Sequence, residues 1–330
     1  MVLLSAEGVS KVFGGRGVFR RTRPVHAVSG VSLTVGSGEV VGLVGESGSG
    51  KSTVGRMVLG MLPPSGGRVL LDGVDITESA GRQARRRRMQ LVFQDPYASL
   101  DPRRRIGAQV ADGLAIHRLA PAPDRRARVE ALLAQVGLRP AHADRFPREF
   151  SGGQRQRVGL ARALATGPDL LVADEAVSAL DVSVQAQVLA LFAGLRTRGI
   201  GLLFISHDLR VVRSLCDRVV VLYLGRVMEE GPVREVMERP QHPYTAALLS
   251  ASPSLDPAYR RTRILLQGDP PSPSDPPSGC VFRTRCPVAV AACAAVVPPL
   301  AAVGDGHRAA CIRTGEDPTL PDENLAAWRS

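Results

Sequence analysis

The feature that most constrains this chain is a glycine-rich loop between a short apolar run and a helical stretch. It has the pattern G-x-x-x-x-G-K-[ST], in which glycines let backbone N–H groups surround phosphates and the helix that follows adds its positive N-terminal end. The loop and the threonine after it comprise Gly45, Glu46, Ser47, Gly48, Ser49, Gly50, Lys51, Ser52 and Thr53. We predict that Lys51 contacts the β- and γ-phosphates of a nucleotide and that the Ser52 hydroxyl ligates Mg²⁺.

The lysine of this loop is unusual in a chain that is basic almost entirely through arginine. Lys51 and Lys11 are the only lysines among 42 basic residues. Lysine is a point charge and arginine a planar fork, so the two do not exchange freely at a phosphate. The net charge of +11 is compatible with a nucleic-acid partner. The arginines form short runs without interleaved aromatic residues, however, so we interpret most runs as solvated faces and expect no nucleic-acid partner.

A second candidate catalytic element is the apolar run at 170–173, which ends in two carboxylates. Asp174 is suited to Mg²⁺, directly or through water, and Glu175 to a general base that polarises an attacking water. An Asp-Glu pair after a strand is often only the start of a helix. The phosphate loop upstream favours the catalytic interpretation.

Apolar runs that alternate with helical stretches predict an α/β fold with a mainly parallel sheet. Continuous apolar runs indicate strands that are buried on both faces. We predict strands at 25–35, 39–44, 89–93, 170–173 and 200–205, hairpins at 68–76 and 218–230, and helices at 51–61, 154–165 and 182–195, with two more inside 106–138.

The sequence FSGGQR at 150–155 adds a second anion site at the start of a predicted helix. Together with the phosphate loop and the Asp-Glu pair, it resembles the ATP-binding cassette (ABC) family. In that family this segment caps ATP that the opposite subunit holds. The resemblance therefore implies that ATP is sandwiched between two cassettes, and that this chain contributes to the partner's site through Ser151, Gly152, Gly153 and Gln154.

Further family motifs occur in the expected order. The resemblance implies that Gln94 senses Mg²⁺ and contacts the membrane partner, that Asp181 lies in the loop at the dimer interface, and that His207 contacts the γ-phosphate. Phe13 is our candidate for the aromatic ring that stacks on adenine, with Phe19 as a nearby alternative.

The resemblance also implies the fold: a P-loop NTPase with a RecA-like core, an antiparallel β subdomain and a helical subdomain at about 104–165. We expect an ABC nucleotide-binding domain at 1–240 and a C-terminal extension at 241–330. The extension contains HPYT at 242–245 and a Pro-rich stretch at 271–287. It resembles the tail of oligopeptide and dipeptide importer ATPases, a subfamily that also serves nickel and some oligosaccharides.

Four of the five cysteines lie in this extension, namely Cys280, Cys286, Cys293 and Cys311. Their spacing matches neither common zinc pairs nor common ferredoxin runs. Four cysteines so close together still favour a four-thiolate site, and the subfamily resemblance implies a [4Fe–4S] cluster. Zinc and free thiols stay open as alternatives. Cys216 is interpreted as a small buried apolar residue.

We expect a peripheral ATPase at the cytoplasmic face of a bacterial inner membrane. No secretory signal is evident, and two prolines interrupt the uncharged stretch at 286–304, which argues against a span. The implied partners are two transmembrane permeases, a second and different cassette that completes a heterodimer, and an extracytoplasmic substrate-binding protein. The alternatives are an exporter ATPase and a soluble cassette ATPase that acts on ribosomes or DNA.

Overall fold

The computed structural model describes residues 1–14, 23–77, 82–95, 99–178, 180–251 and 263–314, and it confirms an α/β fold built on two sheets. The strands are β1 (Val2–Phe13), β2 (Val25–Gly36), β3 (Val40–Val44), β4 (Gly66–Leu71), β5 (Val74–Asp75), β6 (Met89–Val92), β7 (Leu170–Asp174), β8 (Gly201–Ile205), β9 (Arg218–Tyr223), β10 (Arg226–Pro232), β11 (Ala301–Gly304) and β12 (His307–Ala309). The helices are α1 (Lys51–Val58), α2 (Arg82–Arg88), α3 (Ile106–Ile116), α4 (Arg125–Gln135), α5 (Gly152–Leu164), α6 (Val182–Arg196), α7 (Leu209–Leu215), α8 (Val233–Glu238), α9 (Pro243–Ala251) and α10 (Ala292–Ala295).

The larger sheet carries the candidate catalytic residues. Its order is β11-β12-β10-β9-β3-β8-β7-β6, and the five strands from β9 to β6 run parallel to one another. All residues of β3 and β8 are buried, as their continuous apolar sequences predict. Because these strands are parallel, the residues that follow β3, β7 and β8 meet at one edge of the sheet.

The smaller sheet is antiparallel, with the order β2-β1-β4-β5. The predicted turn between β4 and β5 is present, and both of its residues are left-handed, with φ of 48° at Asp72 and 76° at Gly73. Strand β1, which the sequence pattern does not predict, pairs with both β2 and β4.

The first helix is shorter than the sequence predicts. It ends at Val58 rather than at residue 61, because the chain turns left-handed at Gly60, with φ of 65°. The amide N–H of Met61 then donates back to the carbonyl of Arg56, which satisfies the helix end. Helices α3, α4 and α5 pack together through buried aliphatic residues such as Val110, Leu133 and Val158.

The C-terminal residues continue the larger sheet instead of forming a separate layer. Strand β12 pairs with β10 through Glu229 and Ala309. The stretch at 267–279 is dominated by Pro, Ser, Asp and Gly, a composition that predicts a linker or an irregular loop, and it contains no helix or strand. Within the described ranges, no helix is both long and apolar enough to cross a membrane.

Candidate functional site

The phosphate loop connects β3 to α1 in a conformation that requires glycine. Gly45, Gly48 and Gly50 have φ of 151°, 78° and 102°. A Cβ at Gly50 would also overlap the carbonyl oxygen of Ala27, so the loop lies against β2 with no room for a side chain there. The loop therefore presents bare backbone at the start of a helix, as a phosphate site needs.

The ammonium group of Lys51 lies across this loop. Its Nζ donates to the carbonyl oxygens of Gly45 and Glu46, both at 2.8 Å. Burial lowers the pKa of Lys51, while the carboxylates of Glu175, Asp174 and Glu46 act in the opposite direction. The charge is thus held within the loop, beside the position expected for a phosphate.

Ser52 and Asp174 supply two oxygen ligands at one point. The Ser52 hydroxyl donates to Asp174 Oδ1 at 3.0 Å. Burial is the main cause of the raised pKa of Asp174, so a nearby divalent cation would stabilise its anionic form. Mg²⁺ is usually held by one or two protein ligands plus substrate phosphates, and this pair fits that pattern.

Glu175 lies between the side chains of Gln94 and His207, which are also predicted to be catalytic. Its Oε2 accepts from Gln94 Nε2 at 3.0 Å, and its Oε1 is 3.4 Å from His207 Nδ1. The backbone of Glu175 is left-handed, with φ of 48°, and its N–H donates to the carbonyl of Ile205 on β8. A strained non-glycine residue held by a neighbouring strand is typical of a functional site. The structure thus brings together the three side chains that the sequence placed on separate segments.

The Ser-Gly-Gly-Gln segment begins α5 with a complete capping box. Ser151 Oγ accepts from the Gln154 N–H at 3.3 Å, and Gln154 Oε1 accepts from the Ser151 N–H at 3.0 Å. Gly153 is packed so tightly on α6 that an added Cβ would overlap Cγ1 of Val184. Among the described residues, no hydrogen bond joins Ser151 through Gln154 to the phosphate loop of the same chain.

Asp181 and Phe13 lie at exposed positions. Asp181 precedes α6, and its side chain makes no capping hydrogen bond to that helix. Phe13 ends β1 with 41% of its surface exposed, and the ammonium of Lys11 is 5.5 Å from its ring centroid. The alternative adenine-stacking residue, Phe19, lies outside the described residues.

Two contacts from the C-terminal region to the phosphate loop were not anticipated from the sequence. Tyr244 Oη accepts from the Glu46 N–H at 2.8 Å, and Arg285 Nη1 donates to Glu46 Oε2 at 2.7 Å. The HPYT sequence, which includes Tyr244, indicates only a resemblance to the tail of a transporter subfamily. Nothing in its sequence indicated that its tyrosine reaches the loop.

The four C-terminal cysteines surround one small cavity between α9 and the chain around α10. They are Cys280, Cys286, Cys293 and Cys311. Burial raises the pKa of Cys286 to about 12 and that of Cys311 to about 11. No group of three His, Cys, Asp or Glu side chains within the described ranges is arranged to hold a metal ion. The four cysteines therefore line one cavity, and the [4Fe–4S] cluster stays a prediction.

Comparison with known families gives two matches along the chain. Residues 28–178 match the ABC transporter family, and residues 228–293 match the oligopeptide/dipeptide transporter C-terminal region. The first match includes the phosphate loop, Asp174 at the end of β7 and Glu175 directly after it, and the second includes Tyr244 and Arg285.

Similar proteins cover nearly the whole chain. A putative peptide import ATP-binding protein of Brucella ovis is 53% identical over 94% of this chain and 98% of its own length. An oligopeptide transport ATP-binding protein of Bacillus subtilis is 47% identical over 94% and 96%, respectively. A dipeptide transport ATP-binding protein of Haemophilus influenzae is 46% identical with the same coverage.

Solved structures show the same fold. One is cbiO1 of Clostridium perfringens, part of the ABC transporter complex cbiONQ. It has a TM-score of 0.62 and 30% identity, over 71% of this chain and 90% of that one. Another is a dimeric ATP-binding cassette bound to ADP and phosphate, with a TM-score of 0.63 and 28% identity, over 70% and 99%. The predicted P-loop fold and the predicted ATPase activity are therefore confirmed.

We predict that Gly153→Ala lowers ATP turnover at least tenfold, because the added methyl overlaps Val184 and displaces the start of α5. Binding of ATP to the chain's own phosphate loop should be unchanged. Gly159→Ala is a matched control on the same helix, since a Cβ there meets nothing within 4 Å. Steady-state hydrolysis and equilibrium binding of a fluorescent ATP analogue measure the two effects. Equal turnover by the two variants would contradict this packing argument.

We predict that Glu175→Gln keeps ATP binding but lowers turnover by about 10²–10⁴-fold, the usual contribution of a general base. The amide preserves the size of the side chain and can still bond to Gln94. The control is Glu235→Gln, on an exposed position of α8. Release of phosphate and retention of bound nucleotide are measured together. A variant with wild-type turnover would rule out the assigned role of Glu175.

Proposed function

The chain belongs to the ATP-binding subunits of ABC transporters, and on that premise we propose that it hydrolyses ATP to drive uptake of oligopeptides or dipeptides. The observation that carries this proposal is the occurrence, in one chain, of a complete set of ATP-site residues and a C-terminal region of the oligopeptide/dipeptide type. The similar proteins named above are described as peptide import, oligopeptide transport and dipeptide transport ATP-binding proteins.

Each predicted site residue has a proposed role in this cycle. The phosphate loop and Lys51 bind the β- and γ-phosphates. Ser52, Asp174 and Gln94 would hold Mg²⁺, which would neutralise phosphate charge when bound. Glu175 accepts a proton from the attacking water, and His207 contacts the γ-phosphate. Support comes from the convergence of these side chains at one edge of the larger sheet.

The Ser151–Gln154 segment and Asp181 are proposed to act on the partner's nucleotide. Both lie at helix starts, and the Ser-Gly-Gly-Gln segment is not bonded to the chain's own phosphate loop. A helix N-terminus attracts phosphate, so α5 offers a site that a second cassette can use. We propose that this second cassette is a different chain, so that the two form a heterodimer.

Phe13 is proposed to stack on the adenine ring of the chain's own nucleotide.

We propose that the subunit works at the cytoplasmic face of the inner membrane with two permeases and an extracytoplasmic substrate-binding protein. The absence of a membrane-spanning helix within the described ranges is compatible with a peripheral position. Within the chain, we propose a nucleotide-binding domain at 1–240, with a helical lobe at about 104–165, and an extension at 241–330.

We further propose that the four-cysteine cavity holds a [4Fe–4S] cluster. Four thiol groups around one cavity match the number of protein ligands that such a cluster needs. Bound iron would also keep these cysteines as thiolates, against the burial that raises the pKa of Cys286 and Cys311.

The importer is tested by gentle purification of the tagged chain from membranes of its own host. We expect two permeases, a second cassette and a substrate-binding protein to co-purify, and peptides to stimulate ATP hydrolysis when that binding protein is present. Nickel or an oligosaccharide as the only stimulating ligand would exclude peptide uptake. Co-purification of ribosomal proteins without a permease would contradict transport altogether.

The cluster is tested by anaerobic purification of the full chain and by measurement of iron, acid-labile sulfide and visible absorption. We expect about four irons and four sulfides per chain. Cys286→Ala should lose them, whereas Cys216→Ala, which alters a buried cysteine beside Val212 and Gly42, should keep them. Zinc without iron, or four freely reactive thiols in the anaerobic protein, would contradict the proposed cluster.

A further inference from the structure

All three polar groups of Glu46 in the phosphate loop are engaged, and two of them by the C-terminal region. The Glu46 N–H donates to Tyr244 Oη at 2.8 Å, and its carboxylate accepts from Arg285 Nη1 at 2.7 Å. Its carbonyl accepts from Lys51 Nζ at 2.8 Å. The residue that directly follows Gly45 is therefore fixed at its backbone and at its side chain.

We infer that Tyr244 and Arg285 are positioning residues of the ATP site, which hold the phosphate loop in its binding conformation by acting through Glu46. Neither residue needs to touch the nucleotide for this role. Their contact is with the second residue of the loop, just before the N–H groups that surround the phosphates. Donors that are already oriented bind an anion more tightly than donors that must first be ordered.

Tyr244 is a rigid anchor for the backbone of Glu46. It is fully buried, and its ring centroid is 4.7 Å from that of Tyr223 and 5.3 Å from that of Phe282. Because the side chain has no free space, its hydroxyl has essentially one position. The orientation of the peptide bond between Gly45 and Glu46 is then set by a group that cannot move independently of the core.

The helix that carries Tyr244 is itself held by a buried carboxylate. Glu229 on β10 accepts from the N–H groups of Gln241 and His242, at 2.7 and 2.9 Å, just before α9 begins. The same carboxylate bonds to Nε2 of His307 on β12 at 2.7 Å. The position of the Tyr244 hydroxyl therefore depends on both β10 and β12 of the larger sheet.

Arg285 fixes the side chain of Glu46 from the other side. Only 9% of the Arg285 side chain is exposed, and its guanidinium carbon is 6.0 Å from the centroid of the Tyr223 ring. A cation this well buried is costly without a partner, so the Glu46 carboxylate compensates a charge that the fold has removed from water. Arg285 directly precedes Cys286, so the same short loop reaches the phosphate loop and the four-cysteine cavity.

The inference is tested by a double-mutant cycle on nucleotide affinity, with the full chain. Arg285→Ala should raise the Kd for a fluorescent ATP analogue about tenfold, which corresponds to about 1.4 kcal/mol. Arg285→Lys should recover part of this loss, since it keeps a charge near Glu46. Arg283→Ala is the matched control, because within the described ranges the hydrogen bonds of its guanidinium go to Ser278 in the same C-terminal segment.

The decisive comparison uses the Glu46→Ala background, which removes the carboxylate and keeps the backbone N–H. If Arg285 acts through Glu46, Arg285→Ala has little further effect on affinity in that background. If it lowers affinity there as much as in the wild type, or if affinity is unchanged in both, the inference is overturned. Urea midpoints of all variants are recorded, so that a fall in stability without the predicted coupling also overturns it.

Tyr244→Phe tests the backbone contact separately. The ring and its packing remain, and only the acceptor for the Glu46 N–H is lost. We expect a several-fold rise in the Kd for the nucleotide, because the part-buried N–H of Glu46 loses this partner and the loop adopts other conformations. An unchanged Kd would overturn the role of Tyr244. These binding measurements need no permease and no transported substrate, so their outcome is independent of the proposed peptide uptake.

Discussion

The parallel alignment of β3, β7 and β8 is the constraint on which the rest of this molecule depends. Register pairs such as Leu43 with Ile205 and Asp174 with Ile205 place the ends of the three strands at the same height. Every catalytic side chain then lies in a short connection that follows a strand at that edge. The site needs no long loop to gather its groups, because the hydrogen-bonded ladders have already done so.

The same ladders hold the strained backbone conformation of Glu175. A left-handed glutamate is unfavourable alone, but its N–H is satisfied by the carbonyl of Ile205, and its carboxylate has Gln94 and His207 on either side. Contacts from three connections thus offset the cost of this unfavourable backbone conformation. Gln94 follows β6 at the edge of the parallel strands, so a movement of its segment would reach Glu175 directly. The two glutamates of the site, Glu46 and Glu175, are therefore each held by side chains from distant parts of the sequence.

The parts of the site that could be predicted are those whose residues lie close together in the sequence. The phosphate loop, the Asp-Glu pair and the Ser-Gly-Gly-Gln segment are each a few residues long, and apolar runs locate the strands that precede the first two. Strand β1 was missed because irregularities in its pairing, between Ala6 and Val9 and again between Val9 and Lys11, disturb the alternation of polar and apolar residues. The contact between Glu46 and Arg285 joins residues 239 positions apart, so only the folded core brings them together.

The dependence of the larger sheet on β12 also has a consequence for the order of synthesis. The chain has made every residue of its own catalytic edge once His207 has been added, yet β10 has no second neighbour until His307–Ala309 appears. At about 5–20 residues per second, the roughly one hundred residues between these points take on the order of 5–20 s. Throughout that interval β10 is an open strand edge, and the buried Glu229 lacks its histidine. Strand β12 therefore completes the pairing of β10 long after the phosphate loop, which the same sheet positions, has been made.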